Sequence, residues 1–293
     1  MSNSQKHVRI ITDSASDLVS NEYPGLVSVP LTVTFGSNNF RDGVDITHHE
    51  FYERLIESSE LPVTSQPSPA VFKEAIDAIR HEDPSAEVLI ITLSSKLSGT
   101  YQSACIAAST YGESVYVLDS LNVTVGERAL VEYAYQLCEK GLGLQEVVEK
   151  TESARERVRL IALLDTLEYL KKGGRVPKSV AIVGGLLSVK PVIAVEEGEV
   201  KILGAARGSR KGNNLLVEEI QKAGGVDFSL PFHLGYSGIS DNLIRKYIAD
   251  SAAIWEGKVD ELEYATVGSA IGTHAGPGAI AVAFFAKGKT VVL

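Results

Sequence analysis

Four short segments gather hydroxyls, carboxylates or an imidazole where a strand-like run ends or a helix-like run begins. Thr12-Asp13-Ser14-Ala15-Ser16-Asp17-Leu18 follows the first β-branched run. Asp13 could orient a substrate there, but capping a helix is the plainer role for Asp13 or Ser14. A carboxylate without an identified base partner is weak ground for catalysis. Thr64-Ser65-Gln66-Pro67-Ser68 precedes a helix-like run. Ser68 reads as its cap, whereas Thr64 and Ser65 are hydroxyls that a turn alone does not require. Ser94-Ser95-Lys96-Leu97-Ser98-Gly99-Thr100-Tyr101 enters the next helix. Its serines, glycine and threonine can form an anion cradle of N–H and O–H donors. The GxxxxGK[ST] order of a nucleotide phosphate loop is absent. A nucleophilic Ser98 would need a base from elsewhere in the chain, such as His274. Gly272-Thr273-His274-Ala275-Gly276-Pro277-Gly278-Ala279 reads as a loop of special backbone conformation feeding the strand Ile280 to Phe285. Its histidine is either structural or a functional hydrogen-bonding group. Two basic segments complete the set, Lys171-Lys172-Gly173-Gly174-Arg175 and Ala206-Arg207-Gly208-Ser209-Arg210-Lys211. Either can meet an acid group, or simply be a solvated turn.

The elements that must position these residues alternate in period. Val8 to Thr12, Val88 to Thr92 and Val115 to Leu118 are short β-branched runs. Between the first two, Val71, Phe72, Ala75, Ile76 and Ile79 recur at helical spacing behind Ser68 and Pro69. A second helix is predicted after Ser98, ending near Gly112. This alternation implies a parallel sheet, and such sheets bind ligands at the carboxyl ends of their strands. Leu144 to Arg159 reads as a charged surface helix joining two halves. Beyond it, Val192 to Val195 and Val200 to Leu203 flank Glu196 to Glu199 as a hairpin. The predicted architecture is two-domain α/β. A parallel-sheet, Rossmann-like domain spans 1–155 and a mixed α+β domain spans 156–293.

Bulk properties narrow the function classes. Of 293 residues, 44% are hydrophobic and 22% charged, enough for a core with apolar surface left to line a pocket. The net charge of −9, with no basic run longer than Lys171-Lys172, argues against nucleic-acid binding. No segment approaches the roughly 20 apolar residues of a membrane-spanning helix. The polar start, Met1 to Lys6, lacks the apolar stretch of a signal peptide, so a cytoplasmic location is expected. Cys105 and Cys138 read as reduced thiols in helices, with no companion ligands for a metal.

In combination the motifs resemble the DegV family. The matching segments are TDSASDL (12–18), VPLTVTFG (29–36), DGVDIT (42–47), TSQPS (64–68) and SSKLSGTYQSA (94–104). LDS (118–120), LEYLKKGGRV (167–176), LLSVKPV (186–192) and THAGPGA (273–279) follow in family order. The resemblance implies a two-domain α/β protein that holds one long-chain fatty acid in a buried tunnel between or alongside its domains, without cofactor or turnover of its own. It implies that Thr64 and Ser98 hold the carboxylate, with Ser65, Gly99, Thr100, Arg207 and His274 in support. It further implies presentation of the acyl chain to a separate fatty acid kinase, which makes acyl-phosphate for phospholipid synthesis, with Arg175 at the docking surface. Gly208-Ser209-Arg210, after Arg207, is not distinctive. A monomer is the simplest expectation. The competing readings are a serine hydrolase or acyl transferase using Ser98 or Ser65 with His274, and a phosphate or nucleotide binder.

Overall fold

The β-branched run that opens the chain forms strand β1 (Val8–Asp13), at the centre of a parallel sheet. The computed structural model describes residues 7–176 and 189–287. Along the first part follow β2 (Val27–Val29), β3 (Thr32–Phe35), β4 (Asn38–Arg41), α1 (His48–Glu57), β5 (Val63–Ser65) and α2 (Pro69–Glu82). Next come β6 (Glu87–Thr92), α3 (Thr100–Ala108), β7 (Val115–Asp119), α4 (Thr124–Glu139) and α5 (Leu144–Arg155). The second part comprises β8 (Val158–Leu163), α6 (Glu168–Lys172), β9 (Lys190–Glu196), β10 (Glu199–Ala206), α7 (Ser209–Lys222) and β11 (Phe232–Tyr236). It closes with α8 (Asn242–Asp250), α9 (Ala252–Trp255), β12 (Tyr264–Thr266), α10 (Ser269–Ala275) and β13 (Ile280–Phe285). Leu186 to Ser188, the start of the LLSVKPV segment, lie outside the described residues.

The α/β expectation holds. Strands β2-β1-β6-β7 pair in parallel, and β10-β9-β8-β13-β11-β12 form a mixed sheet. The β9–β10 hairpin turns at Glu197 and Gly198, both at positive φ, within the acidic stretch read as its turn. A small antiparallel sheet, β4-β3-β5, departs from the expectation. Thr64 and Ser65 lie in its edge strand rather than a loop, with Thr64 opposite Val33. Three residues are too few to show a strand's alternation. Ser68 does stand at the N-cap of α2, but its side chain makes no capping bond.

His274 also departs from its loop reading, since it occupies the last turn of α10. Gly272 obscures that helix in the sequence. The glycine is needed because a Cβ there would lie 2.5 Å from the Tyr52 hydroxyl. The helix ends where Gly276 turns to φ +71.

One face of the six-stranded sheet packs against α7 and α8, through Ile161, Leu163, Val282, Leu216 and Ile244. Alternation sends Leu160, Ala162, Ile193, Val195 and Ala281 to the other face. Across that face Ile193, Ala162, Ala281 and Gly235 stand opposite one another on β9, β8, β13 and β11. Gly235 lies beneath α4, where an added Cβ would be 3.0 Å from the Val125 side chain. Small residues thus cut a trough between the larger side chains of neighbouring rows.

Candidate ligand-binding site

Ile193, Ala162 and Ala281 of this trough lie in the floor of a cavity of about 380 Å³, within the range of small-molecule pockets. Leu31, Leu93 and Val123, just beyond the carboxyl ends of β2, β6 and β7, form part of the facing wall. The cavity therefore sits where an open parallel sheet presents its ligands. Most of the wall is aliphatic, including Leu160, Leu164, Ile193 and Val195. Apart from Thr124, the polar lining is concentrated in Thr64, Ser65, Gln66, Ser98, Arg175 and His274. Ser65 and Gln66 are exposed, so this polar end opens to solvent.

The polar end is built from three elements. Strand β5 presents Thr64, whose Oγ1 lies 2.9 Å from His274 Nε2 at the end of α10. Burial, with the Arg175 charge adding to it, pushes the His274 ring down to about 4. The imidazole is therefore neutral near pH 7. Its Nδ1 is buried and has no hydrogen-bond partner among the described residues. A buried N–H without an acceptor is rarer than a buried lone pair without a donor. The proton accordingly belongs on Nε2, which donates to Thr64 and leaves the threonine's own proton free to point elsewhere. Gly173 allows this close packing, since a Cβ there would lie 2.2 Å from Nδ1.

The entrance to α3 supplies the facing donors. Ser98 and Thr100 share a hydroxyl hydrogen bond of 2.9 Å, and the Thr100 amide donates to Ser98 Oγ at 3.3 Å. Gly99 is the N-cap, so the first amides of α3 lie free of intrahelical partners here. A side chain at residue 99 would push the Gln66 amide aside, because a Cβ would be 2.1 Å from Gln66 Oε1. Gln66 is anchored in turn to Ser103 Oγ at 2.9 Å. Arg175 is half-buried, with its guanidinium donating to the carbonyls of Leu97 (3.1 Å) and Gly173 (2.7 Å).

The structure thus brings Thr64, Ser65, Ser98, Gly99, Arg175 and His274 to one cavity, with Thr100 one bond behind. It does not bring Arg207 there. That residue is exposed in the turn before α7, outside the lining and without an ion pair among the described residues. Among the described residues Arg175 is the arginine that lines the cavity. A serine–histidine nucleophile is also absent from the hydrogen-bond pattern, since Ser98 bonds Thr100 while His274 bonds Thr64. No group of three or more metal-ligating side chains occurs among the described residues. Asp13 serves as a cap, accepting from the amides of Ala15 (3.0 Å) and Leu93 (2.9 Å), and burial pushes its carboxyl up to about 7. Gln66 was in view within its motif, but only its approach to Gly99 reveals its part in shaping the site.

Comparison with known proteins agrees with this architecture. The family model described as "Uncharacterised protein, DegV family" matches residues 7–287. A DegV domain-containing protein of Caldanaerobacter subterraneus subsp. tengcongensis is 33% identical over 286 residues, 96% of this chain and 99% of its own. Among solved structures, a fatty-acid-binding DegV family protein from Thermus thermophilus is similar with a TM-score of 0.85 and 31% identity. That match covers 95% of this chain and 99% of the other. A DegV lipid-binding protein from Thermotoga maritima gives a TM-score of 0.83 and 28% identity, over 94% of this chain and 97% of the other.

Proposed function

We propose that this chain, which belongs to the DegV family, binds one long-chain fatty acid in the cavity and presents its carboxylate to a separate kinase. The observation that carries this reading is the division of one cavity into an aliphatic trough and a solvent-reaching end rich in neutral donors. An acyl tail laid along Ala162 and Ala281 would gain about 0.8 kcal/mol for each buried CH₂. The carboxylate would cost several kcal/mol to bury bare. Charge-assisted bonds from the hydroxyls of Thr64 and Ser98, with amides at the start of α3 that have no intrahelical partner, offset that cost. His274 acts on Thr64 rather than on the ligand, fixing the direction in which the hydroxyl donates. Related proteins described as fatty-acid-binding and lipid-binding share this fold and support the ligand class.

Hydroxyl donors hold a carboxylate without neutralising it, which leaves an oxygen able to accept a phosphoryl group. The second half of the proposal rests on that chemistry and on the basic segment at the polar end. Lys171 and Lys172 are exposed in α6, and Arg175 lies at the cavity just beyond them. In this reading the protein is a cytoplasmic carrier with the cavity between domains 1–155 and 156–293. Its basic segment meets the kinase. Reconstitution tests the sequence of events. Protein, fatty acid and ATP together should yield no acyl-phosphate until a fatty acid kinase is added. Product formed before that addition would make the protein a catalyst.

A further inference from the structure

Two sequence motifs have no part in the cavity, the TDSASDL segment after β1 and the DGVDIT segment after β4. Asp17 and Asp42 within them are buried and do not line it. Both carboxylates instead reach the start of α10, some 230 to 250 residues away in the chain. Asp17 Oδ1 accepts from the Gly268 amide at 2.8 Å. Asp42 Oδ1 accepts from Ser269 at 2.9 Å, and its Oδ2 from Ala270 at 3.2 Å. Three successive amides are thus held by two acids from another part of the fold.

We infer that Asp17 and Asp42 are positioning residues for His274, gripping the start of α10 so that the ring at its end meets Thr64. The inference rests on the ligand-binding reading above. A helix of seven residues containing a glycine has little stability of its own, so its place is set by what it touches. Ala270 and His274 are four residues apart and share one face, and both line the cavity. The rise between them is about 6 Å, at about 1.5 Å per residue. A displacement of the first turn therefore reaches the imidazole with little damping.

The acids are themselves fixed. The Thr124 hydroxyl donates to Asp17 Oδ2, and the Ser14 hydroxyl donates to Asp42 Oδ2 at 3.0 Å. Gly268 has no room for a side chain, because a Cβ would lie 2.9 Å from Asp17 Oδ1 and 3.2 Å from the His48 ring. The other end of α10 is equally confined, since a Cβ at Gly276 would be 2.2 Å from the Tyr169 ring. The helix is thus clamped at both ends.

The test is a double-mutant cycle read by oleate affinity, using wild type, Asp42→Asn, His274→Ala and the double variant. Asparagine keeps the size of the side chain but turns an amide donor toward an amide. Asp42→Asn should weaken binding about tenfold in the wild-type background and hardly at all with His274→Ala, as expected within one coupled network. The ¹⁵N signals of the His274 ring should also move in ligand-free Asp42→Asn. Equal losses in both backgrounds, or an unmoved ring signal, would overturn the inference. Should Asp42→Asn not fold, Ser14→Ala removes the hydroxyl that fixes Asp42 and is judged by the same two readouts. Failure of wild type to bind oleate would refute the ligand reading instead, leaving the ring signal to decide the positioning role.

Discussion

Replacing Ala281 by leucine tests whether an acyl tail occupies the trough. Ala281 stands opposite Ala162, and both line the cavity, so the floor here is made of small side chains. Leucine adds three carbons directed into the cavity that Ala281 lines. If they displace about three methylenes of ligand, each worth about 0.8 kcal/mol, the loss is about 2.4 kcal/mol. That is roughly fiftyfold in Kd for an acid that fills the trough. An acid short enough to stop before Ala281 should bind as it does to wild type. The assay is a direct titration over saturated acids from decanoic to octadecanoic, with a thermal melt to confirm folding. Selective loss at the long end supports the placement. An equal loss at every length, or none, would refute it.

Four residues of the polar end give further outcomes. Ser98→Ala should weaken fatty-acid binding by about 1.5–3 kcal/mol, the cost of one donor to a charged acceptor, measured by titration of the folded variant. Gly173→Ala should act almost as strongly, because its Cβ would meet Nδ1 of His274 at 2.2 Å and force the ring from Thr64. The His274 ring should remain neutral down to about pH 4 when followed by NMR. Its depressed value means that between about 6.5 and 4 the unfolded chain takes up a proton the folded chain refuses, so the ring's own contribution to stability falls as pH falls. His274→Asn should remove that contribution, so the variant loses less stability than wild type on going from about pH 6.5 to 4, and an unchanged slope would count against a buried neutral ring. Arg175→Ala should let the His274 ring titrate at higher pH, since the guanidinium charge helps depress it. In a reconstituted system with ATP and a kinase, the same variant should slow acyl-phosphate formation with altered salt dependence, read as product per unit time.

Much of the scaffold was legible because its signals are local. The β-branched runs from Val8, Val88 and Val115 became parallel strands, and the Glu196 to Glu199 stretch became the hairpin turn. Thr64 was recognisable as an extra hydroxyl, yet its place in β5 depends on pairing with β3, which no three-residue pattern announces. His274 looked like a loop residue because the glycines on either side of it serve different needs. Gly272 makes room for Tyr52, and Gly276 ends the helix. The trough was invisible for a different reason. Ala162 and Ala281 are ordinary core residues until strand register sets them side by side. Register likewise could not reveal that Asp17 and Asp42 hold a helix more than 220 residues away. Arg207 is a different case. An arginine in a recognisable motif suggested a polar network, while the fold leaves it exposed in the turn before α7.

Native mass spectrometry of the protein as purified, repeated after delipidation and addition of oleate, tests the ligand claim most directly. One adduct of fatty-acid mass per chain is predicted, with oleate restoring a single adduct to the emptied protein and Thr64→Ala and Ser98→Ala lowering its occupancy. A folded protein that stays empty with oleate in excess would contradict the account.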